Sequence, residues 1–428
     1  MVNNTALPPE PVLRPAQTNT QSMGRLRVSL TAQTGYFPVP GATVRISYTG
    51  NPDQVIEELT TNESGQTDTI ELPTPNRDYS LEPEANQPYS EYNISVSAPG
   101  YDSLVVSGAQ LLSGETALQD IRLAPQINNP TASDIVIPPH TLYGEFPPKI
   151  AEDEIKPVDE SGEIVLSRVV IPETVVVHAG PPTDSRAKNY YVTYRDYIKN
   201  VASSEIYATW PESTITANVL AIMSFTLNRV YTEWYRNKGF DFTITSSTAY
   251  DHFFVYGRNI FESISQVVDN IFTNYLSRPN VRQPILTQYC DGQRVSCPDW
   301  LSQWGSKALG DQGYSAIEIL RYYYGDSMYI NSAPQVSGIP ASWPGSDLTN
   351  GSRGEKVLQM QEQLNRIAQN YPAIPKIAAD GIYGPATAAA VKKFQEIFNL
   401  PATGVVDYAT WYKISQIYVG VSRIAELN

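Results

Sequence analysis

The stretch NVASSEIYATWPES, residues 200–213, sets a carboxylate where an apolar residue is expected. If the run from Asp196 is helical, Tyr197, Ile198, Val201, Ala202 and Glu205 share one face, because positions i, i+4 and i+8 align. Four of the five suit a core and the fifth is an acid. Desolvation disfavours its charged form, so its pKa rises and a protonated fraction persists toward neutral pH. Such a group can give its proton to a glycosidic oxygen. Tyr207 and Trp210 follow at once, and rings of this kind stack on sugars; core packing is the competing account for both. Conventional glycoside hydrolysis needs a second carboxylate. Asp251, Asp291 and Asp299 are the candidates, and none is singled out by spacing.

Other chemistries lack their residue patterns. The 428-residue chain contains no GxSxG elbow, no P-loop and no HExxH helix. Its two cysteines, Cys290 and Cys297, and its three scattered histidines, His140, His178 and His252, do not spell a zinc site. A bridge between the cysteines would close only a small loop; a disulfide and two buried thiols are both open. No cofactor is called for. The net charge of −14 argues against nucleic acid as a partner. No apolar run approaches the ~20 residues of a membrane span, and the N-terminus shows no secretory h-region. The 28 tyrosines suit carbohydrate binding or half-buried strands.

The elements that must position these residues fall into segments. Residues 1–22 are rich in Asn, Thr, Pro and Gln and read as a disordered tail. Residues 23–124 read as a small all-β sandwich. GRLRVSL and ATVRISY alternate with period two, and YNISVSAPGYDSLVV reads as two strands joined through Pro99 and Gly100. Residues 125–173 hold eight prolines and the acidic run AEDEIKPVDESGE. That composition predicts a surface or mobile linker, open to a protease. Residues 174–345 read as mixed α and β: a strand at ETVVVHAG, helices over 211–236 and NIFESISQVVDNIFTNYL, and a last helix ending at Gly325. Residues 350–428 read as compact and helical. DGIYGPATAAAVKKFQ is echoed by TGVVDYATWYKISQ, each a glycine turn feeding a helix through a threonine.

Some of these segments carry family resemblances. PVPGATVRI, TNESGQTDTIELP and YNISVSAPGY resemble a carboxypeptidase-regulatory or transthyretin-like domain, usually an accessory module. RGEKVLQMQEQLN, DGIYGPATAAAVKKFQ and LPATGVVDYATW resemble the three-helix peptidoglycan-binding domain, which implies attachment to cell-wall polymer. The central region resembles the stage II sporulation protein D family through YIKNVASSEIYATWPESTITANVLA, AYDHFFVYG and LSQWGSKALGDQGYSAIEILRYYYG.

That resemblance places the catalytic glutamate on Glu205 and implies a lytic transglycosylase, or a protein that assists other wall enzymes. In lytic cleavage the C6 hydroxyl of muramic acid attacks its own C1, so one glutamate serves as acid and then as base. The substrate-contacting candidates are Tyr207, Trp210, Tyr250, Asp251, Tyr256, Ser302, Gln303 and Trp304. The chain departs from the family pattern at Thr216, Met223, Phe253 and Phe254, and at CPDWL before the Ser302–Gly305 turn.

The module order resembles spore cortex-lytic enzyme precursors. It implies a zymogen in the cortex or coat region of a spore. A subtilisin-like germination protease would cut within 125–173 and remove the N-terminal half. The rival expectations are a non-catalytic or amidase-enhancing wall protein, an N-acetylmuramoyl-L-alanine amidase, and a sandwich that docks the protein and is never removed.

Overall fold

The computed structural model describes residues 22–83, 86–127, 131–156, 168–338 and 343–423. The tail expected at the N-terminus falls, but for residue 22, outside the described residues. Ser22 already begins the first strand.

Alternation of apolar and polar residues builds the sandwich. Its strands are β1 (Ser22–Ala32), β2 (Thr43–Tyr48), β3 (Asn51–Thr60), β4 (Ile70–Thr74), β5 (Tyr89–Ser97), β6 (Ser103–Leu112), β7 (Thr116–Leu123) and β8 (Ala132–Val136). Leu26, Val28, Leu30, Val44 and Ile46 point into the core as the period-two reading requires. Tyr48, expected on that face, is exposed at the strand end.

Both sheets are completed from outside 23–124. One has the order β3-β2-β5-β6-β8, so the start of the Pro-rich region contributes an edge strand. The other runs from Ile260–Phe261 through β7 and β1 to β4, so the central region supplies the second edge. The preceding residue, Asn259, ties the central region to β6 of the other sheet: its amide donates to the Gln110 carbonyl at 2.8 Å and accepts from the Gln110 N–H at 3.0 Å.

Eight helices follow among the described residues: α1 (Tyr194–Glu205), α2 (Glu212–Tyr231), α3 (Glu262–Ile271), α4 (Gln303–Asp311), α5 (Ala316–Tyr324), α6 (Glu355–Ile367), α7 (Pro385–Ile397) and α8 (Tyr408–Arg423). Helix α2 stops at Tyr231, short of the expected 236, and a 3-10 turn at Arg236–Lys238 follows. The helix read through NIFESISQVVDNIFTNYL ends at Ile271. Asn274–Ser277 is instead a strand paired with Tyr329–Ser332, a long-range partner that local periodicity does not reveal. One continuous apolar core runs from the sandwich through the central helices to α8. No helix among the described residues is long and apolar enough to cross a membrane.

The C-terminal region gives the half-repeat a physical cause. Gln361 on α6 is buried; its amide donates to the Ile382 carbonyl at 3.0 Å and accepts from the Gly381 N–H at 2.9 Å. Gln395 on α7 does the same with Val405 at 2.8 Å and Gly404 at 2.8 Å. Both also reach the threonine that opens the next helix, Thr387 or Thr410. The glycines hold φ of 72° and 69°, which side chains rarely adopt. Replacing Gln395 by Ala should orphan a buried N–H and carbonyl and cost about 3 kcal/mol. Amide exchange should then speed up at Gly404 and stay slow at Gly381.

The Pro-rich region departs from its composition. It was expected to bury little, yet His140, Leu142 and Lys156 are buried, and 140–156 lies across the central region as a strap. Ion pairs and side-chain amides contributed by the central region make this burial possible. The part of the expected cleavage region at 157–167 lies outside the described residues.

Candidate functional site

Helix α1 begins at Thr193, whose hydroxyl accepts from the Asp196 N–H as an N-cap, and ends at Glu205. The expected face is buried: Tyr197, Ile198, Val201 and Ala202 are fully covered and Glu205 is 3% exposed. The Glu205 carboxyl has two donors. The Phe253 N–H reaches Oε1 at 2.6 Å, and the Tyr289 hydroxyl donates to Oε2. Tyr289 is placed by a two-residue parallel pairing of Tyr289–Cys290 with Leu301–Ser302. Burial pushes the Glu205 carboxyl above its ordinary range; the Lys149 ammonium, Tyr289 and the Phe253 N–H oppose this without cancelling it.

Glu205 borders a cavity of about 70 Å³, lined in part by Tyr289, Asp291, Arg294 and Gln303. The strap supplies much of the remaining wall: Thr141, Gly144, Phe146, Pro147, Pro148 and Lys149. Ligand pockets are typically ~300–1,000 Å³, so this one is too small for a sugar chain while the strap forms part of its wall. The strap is held directly. Thr141 donates through N–H and hydroxyl to the Ser204 carbonyl, both at 3.2 Å. His140 packs on Tyr207 at 4.5 Å and Phe146 on Phe253 at 4.8 Å. Lys149 is half-buried, lies over the Tyr289 ring at 4.7 Å and donates to the Asp251 carbonyl. Burial lowers its pKa while Glu205 and Asp251 raise it, and burial wins.

The other expected site residues divide. Tyr207, Trp210 and Trp304 form one aromatic cluster beside Glu205, with Trp210 and Trp304 centroids 5.0 Å apart. All three are buried. The sandwich covers Trp210, whose indole N–H donates to the Ser80 carbonyl at 2.9 Å. Gln303 lines the cavity, and its amide donates to the Glu205 carbonyl at 3.0 Å, fixing the end of α1.

Ser302 is a structural cap: its hydroxyl accepts from the Gly305 N–H at 2.9 Å. A Cβ on Gly305 would lie 2.1 Å from the Tyr323 hydroxyl, which accounts for that glycine. Asp251 does not face a ligand. It is fully buried and consumed by Arg229 at 2.7 Å, the Tyr235 hydroxyl at 2.6 Å and Thr245. Tyr250 lines a second hollow, of about 620 Å³, with Trp234, Tyr235, Lys238 and Phe240. Tyr256 is 49% exposed, stacks on Tyr190 at 4.3 Å and does not line the Glu205 cavity.

Asp291 lines the cavity, but its carboxylate caps its own loop through the Arg294 N–H at 3.0 Å and the Val295 N–H at 2.9 Å. Cys290 and Cys297 form a disulfide that closes this loop. Tyr289 and Lys149 are not singled out by sequence, whereas His252 is among the three histidines weighed there. His252 sits beneath the site, its Nδ1 2.9 Å from the Tyr197 hydroxyl, and burial holds it neutral. Among the described residues no group of three or more His, Cys, Asp or Glu is arranged to hold a metal.

Residues 353–414 match the family described as "Putative peptidoglycan binding domain". The C-terminal region, with its three helices α6–α8, is the part of the chain that matches this peptidoglycan-binding domain. The chain is also similar to a zinc D-Ala-D-Ala carboxypeptidase of Streptomyces albus G, at 44% identity over 77 residues of this C-terminal region. That stretch is 18% of this chain and 28% of the relative, so the chain spans about a quarter of the relative's length.

Two solved structures show weak likeness. One is GBS52, a minor pilin of Streptococcus agalactiae, with a TM-score of 0.18, 13% identity, and cover of 25% of this chain and 47% of that one. The other is catechol 1,2-dioxygenase of Acinetobacter sp. ADP1, with a TM-score of 0.18, 14% identity, and cover of 28% and 60%. Neither carries an argument about function.

Proposed function

We propose that the protein is the latent form of a lytic transglycosylase that cleaves spore-cortex peptidoglycan, with Glu205 as acid and then base. The observation that carries this reading is a single buried carboxyl at the end of α1, gripped by Tyr289 and the Phe253 N–H, at the wall of a small cavity that the chain's own strap helps to line. The neighbouring carboxylates support a one-acid mechanism. Asp251 is locked by Arg229 and Asp291 caps its loop, so neither is free to act as a second nucleophile. An internal C6 hydroxyl needs no second carboxylate, and its high effective molarity replaces one.

In this reading Glu205 gives its proton to the leaving oxygen and takes the proton of the C6 hydroxyl as that oxygen bonds to C1. Tyr289 keeps the carboxyl oriented. Removal of the N-terminal region uncovers Glu205 and the Tyr207, Trp210 and Trp304 cluster together, because the strap and the sandwich cover both. The C-terminal domain keeps the enzyme on its polymer. A spore location and a subtilisin-like activating protease belong to the same proposal.

A second reading is a wall-binding protein without catalysis, favoured by Phe253 and Phe254 where the resembled family often has polar residues. The products decide. The cut chain is incubated with cortex peptidoglycan and the fragments are weighed by mass spectrometry. Anhydro ends, one water lighter than hydrolytic fragments, support the transglycosylase. Free stem peptides would indicate an amidase. Retained binding with no fragments would leave the non-catalytic reading.

A further inference from the structure

Beyond Lys149 the strap runs without regular structure to a bend at residues 154–155, and the central region grips it as a peptide. The Ile150 N–H donates to the Ala249 carbonyl at 2.7 Å. The buried Gln288 amide brackets the strap backbone, donating to the Ile150 carbonyl at 2.7 Å and accepting from the Glu152 N–H at 2.8 Å. The Leu286 N–H donates to the Glu154 carbonyl at 2.9 Å. Gln283 repeats the bracket, accepting from the Lys156 N–H at 2.7 Å and donating to its carbonyl at 3.2 Å. The Asn228 amide holds Gln283 in that orientation, donating at 3.0 Å.

Two guanidinium forks take the strap's acids. Arg229 donates to Glu152 at 3.0 and 2.5 Å, and Arg278 donates to Glu154 at 2.7 Å through each of two nitrogens. Planar two-point pairing of this kind selects carboxylates by shape as well as charge. With the strap gone, the two forks and the two bracketing amides lose these partners together, while Asp251 still holds Arg229 and Asn228 still holds Gln283, so the row keeps its donors and acceptors in place for another peptide. The row starts at Glu205 and leads away from it. In an extended chain Glu152 lies roughly 10 Å beyond Lys149.

We propose that this row is a binding groove for the acidic stem peptide of peptidoglycan, which the strap fills by imitation. Arg229 and Arg278 take stem carboxylates where Glu152 and Glu154 now sit, and Gln288 and Gln283 take the stem's amides. The inference rests on the glycan-cleaving reading only for the placing of muramic acid beside Glu205. The groove itself is specified by peptide and carboxylate recognition.

The test uses the full chain and a synthetic stem tetrapeptide, L-Ala-γ-D-Glu-diaminopimelate-D-Ala, titrated by calorimetry. The parent sets whatever the C-terminal domain contributes. In Glu152→Ala/Glu154→Ala, hydrogen exchange should rise at the strap amides of residues 150–156, and the tetrapeptide should bind about tenfold tighter or more. Adding Arg278→Gln to that variant should remove the gain, while peptide-free glycan should show none at any stage.

Faster strap exchange with unchanged tetrapeptide affinity would overturn the groove. Unchanged exchange would overturn the claim that the two forks clasp the strap. A gain in binding with no anhydro products from the cut chain would keep the groove and refute the cleavage reading. Anhydro products with no binding gain would do the reverse.

Discussion

Glu205→Gln in the cut protein should lower the rate of glycan cleavage by about 10²–10⁴-fold. The amide keeps the volume; its oxygen can still accept from the Phe253 N–H while its NH2 donates to the Tyr289 hydroxyl oxygen, so folding and attachment to peptidoglycan should hold. What disappears is the transferable proton. In the uncut chain burial raises the group against the opposing Lys149, Tyr289 and Phe253 N–H. The cut removes Lys149 with the strap, and the burial left by α1 and Tyr289 should keep the parent's alkaline limb above the ordinary glutamate value of ~4.3. A rise in pH through that value removes the acid and slows cleavage. Initial rates across pH, followed by release of reducing or anhydro ends, measure both effects. A glutamine variant that cleaves at the parental rate would remove Glu205 from the mechanism.

Asp269→Ala should cost about 3–5 kcal/mol of stability, the largest effect expected away from the site. Asp269 of α3 is buried between two cations of α1, at 3.1 Å from Arg195 and 2.7 Å from Lys199. Alanine would leave both buried without a carboxylate. Arg195 also donates to the Tyr412 carbonyl at 3.1 Å, so the loss should propagate to α8.

Burial raises the Asp269 pKa, but Lys199 and Arg195 outweigh it and the net shift is down. A depressed carboxylate stabilises above its unfolded value of ~3.9 and loses that contribution as pH falls through its folded value. The gap between parent and variant should therefore be full near neutrality and shrink only at strongly acid pH. Denaturant unfolding at several pH values reads it. A gap that grew on acidification would contradict the assignment.

What the sequence revealed depended on how local the cause was. The buried face of α1 was legible because helical period alone places Tyr197, Ile198, Val201 and Glu205 together. The C-terminal helices and their glycine turns were legible for the same reason, although the part played by Gln361 and Gln395 was not. The grip of Tyr289 on Glu205 depends on pairing Tyr289 with Leu301, which no short window contains. The strap was misread because its prolines and acids suit solvent. Its burial depends on Arg229 and Arg278, which lie 77 and 124 positions from their partners. Asp251 was legible as an acid near the site but not as one already committed to Arg229.

The shared sheet edge bears on how such a molecule is switched on. Phe261 and Ile260 stay hydrogen-bonded to β7 whether or not the backbone is intact near residue 160. A nick there severs one covalent link and no interface. The two pieces remain a complex held by a sheet seam, the Asn259–Gln110 clasp and the two arginine forks. On the proposed activation by cleavage, the commitment to become active would belong to the departure of the N-terminal fragment, slowed by added fragment and hastened by dilution.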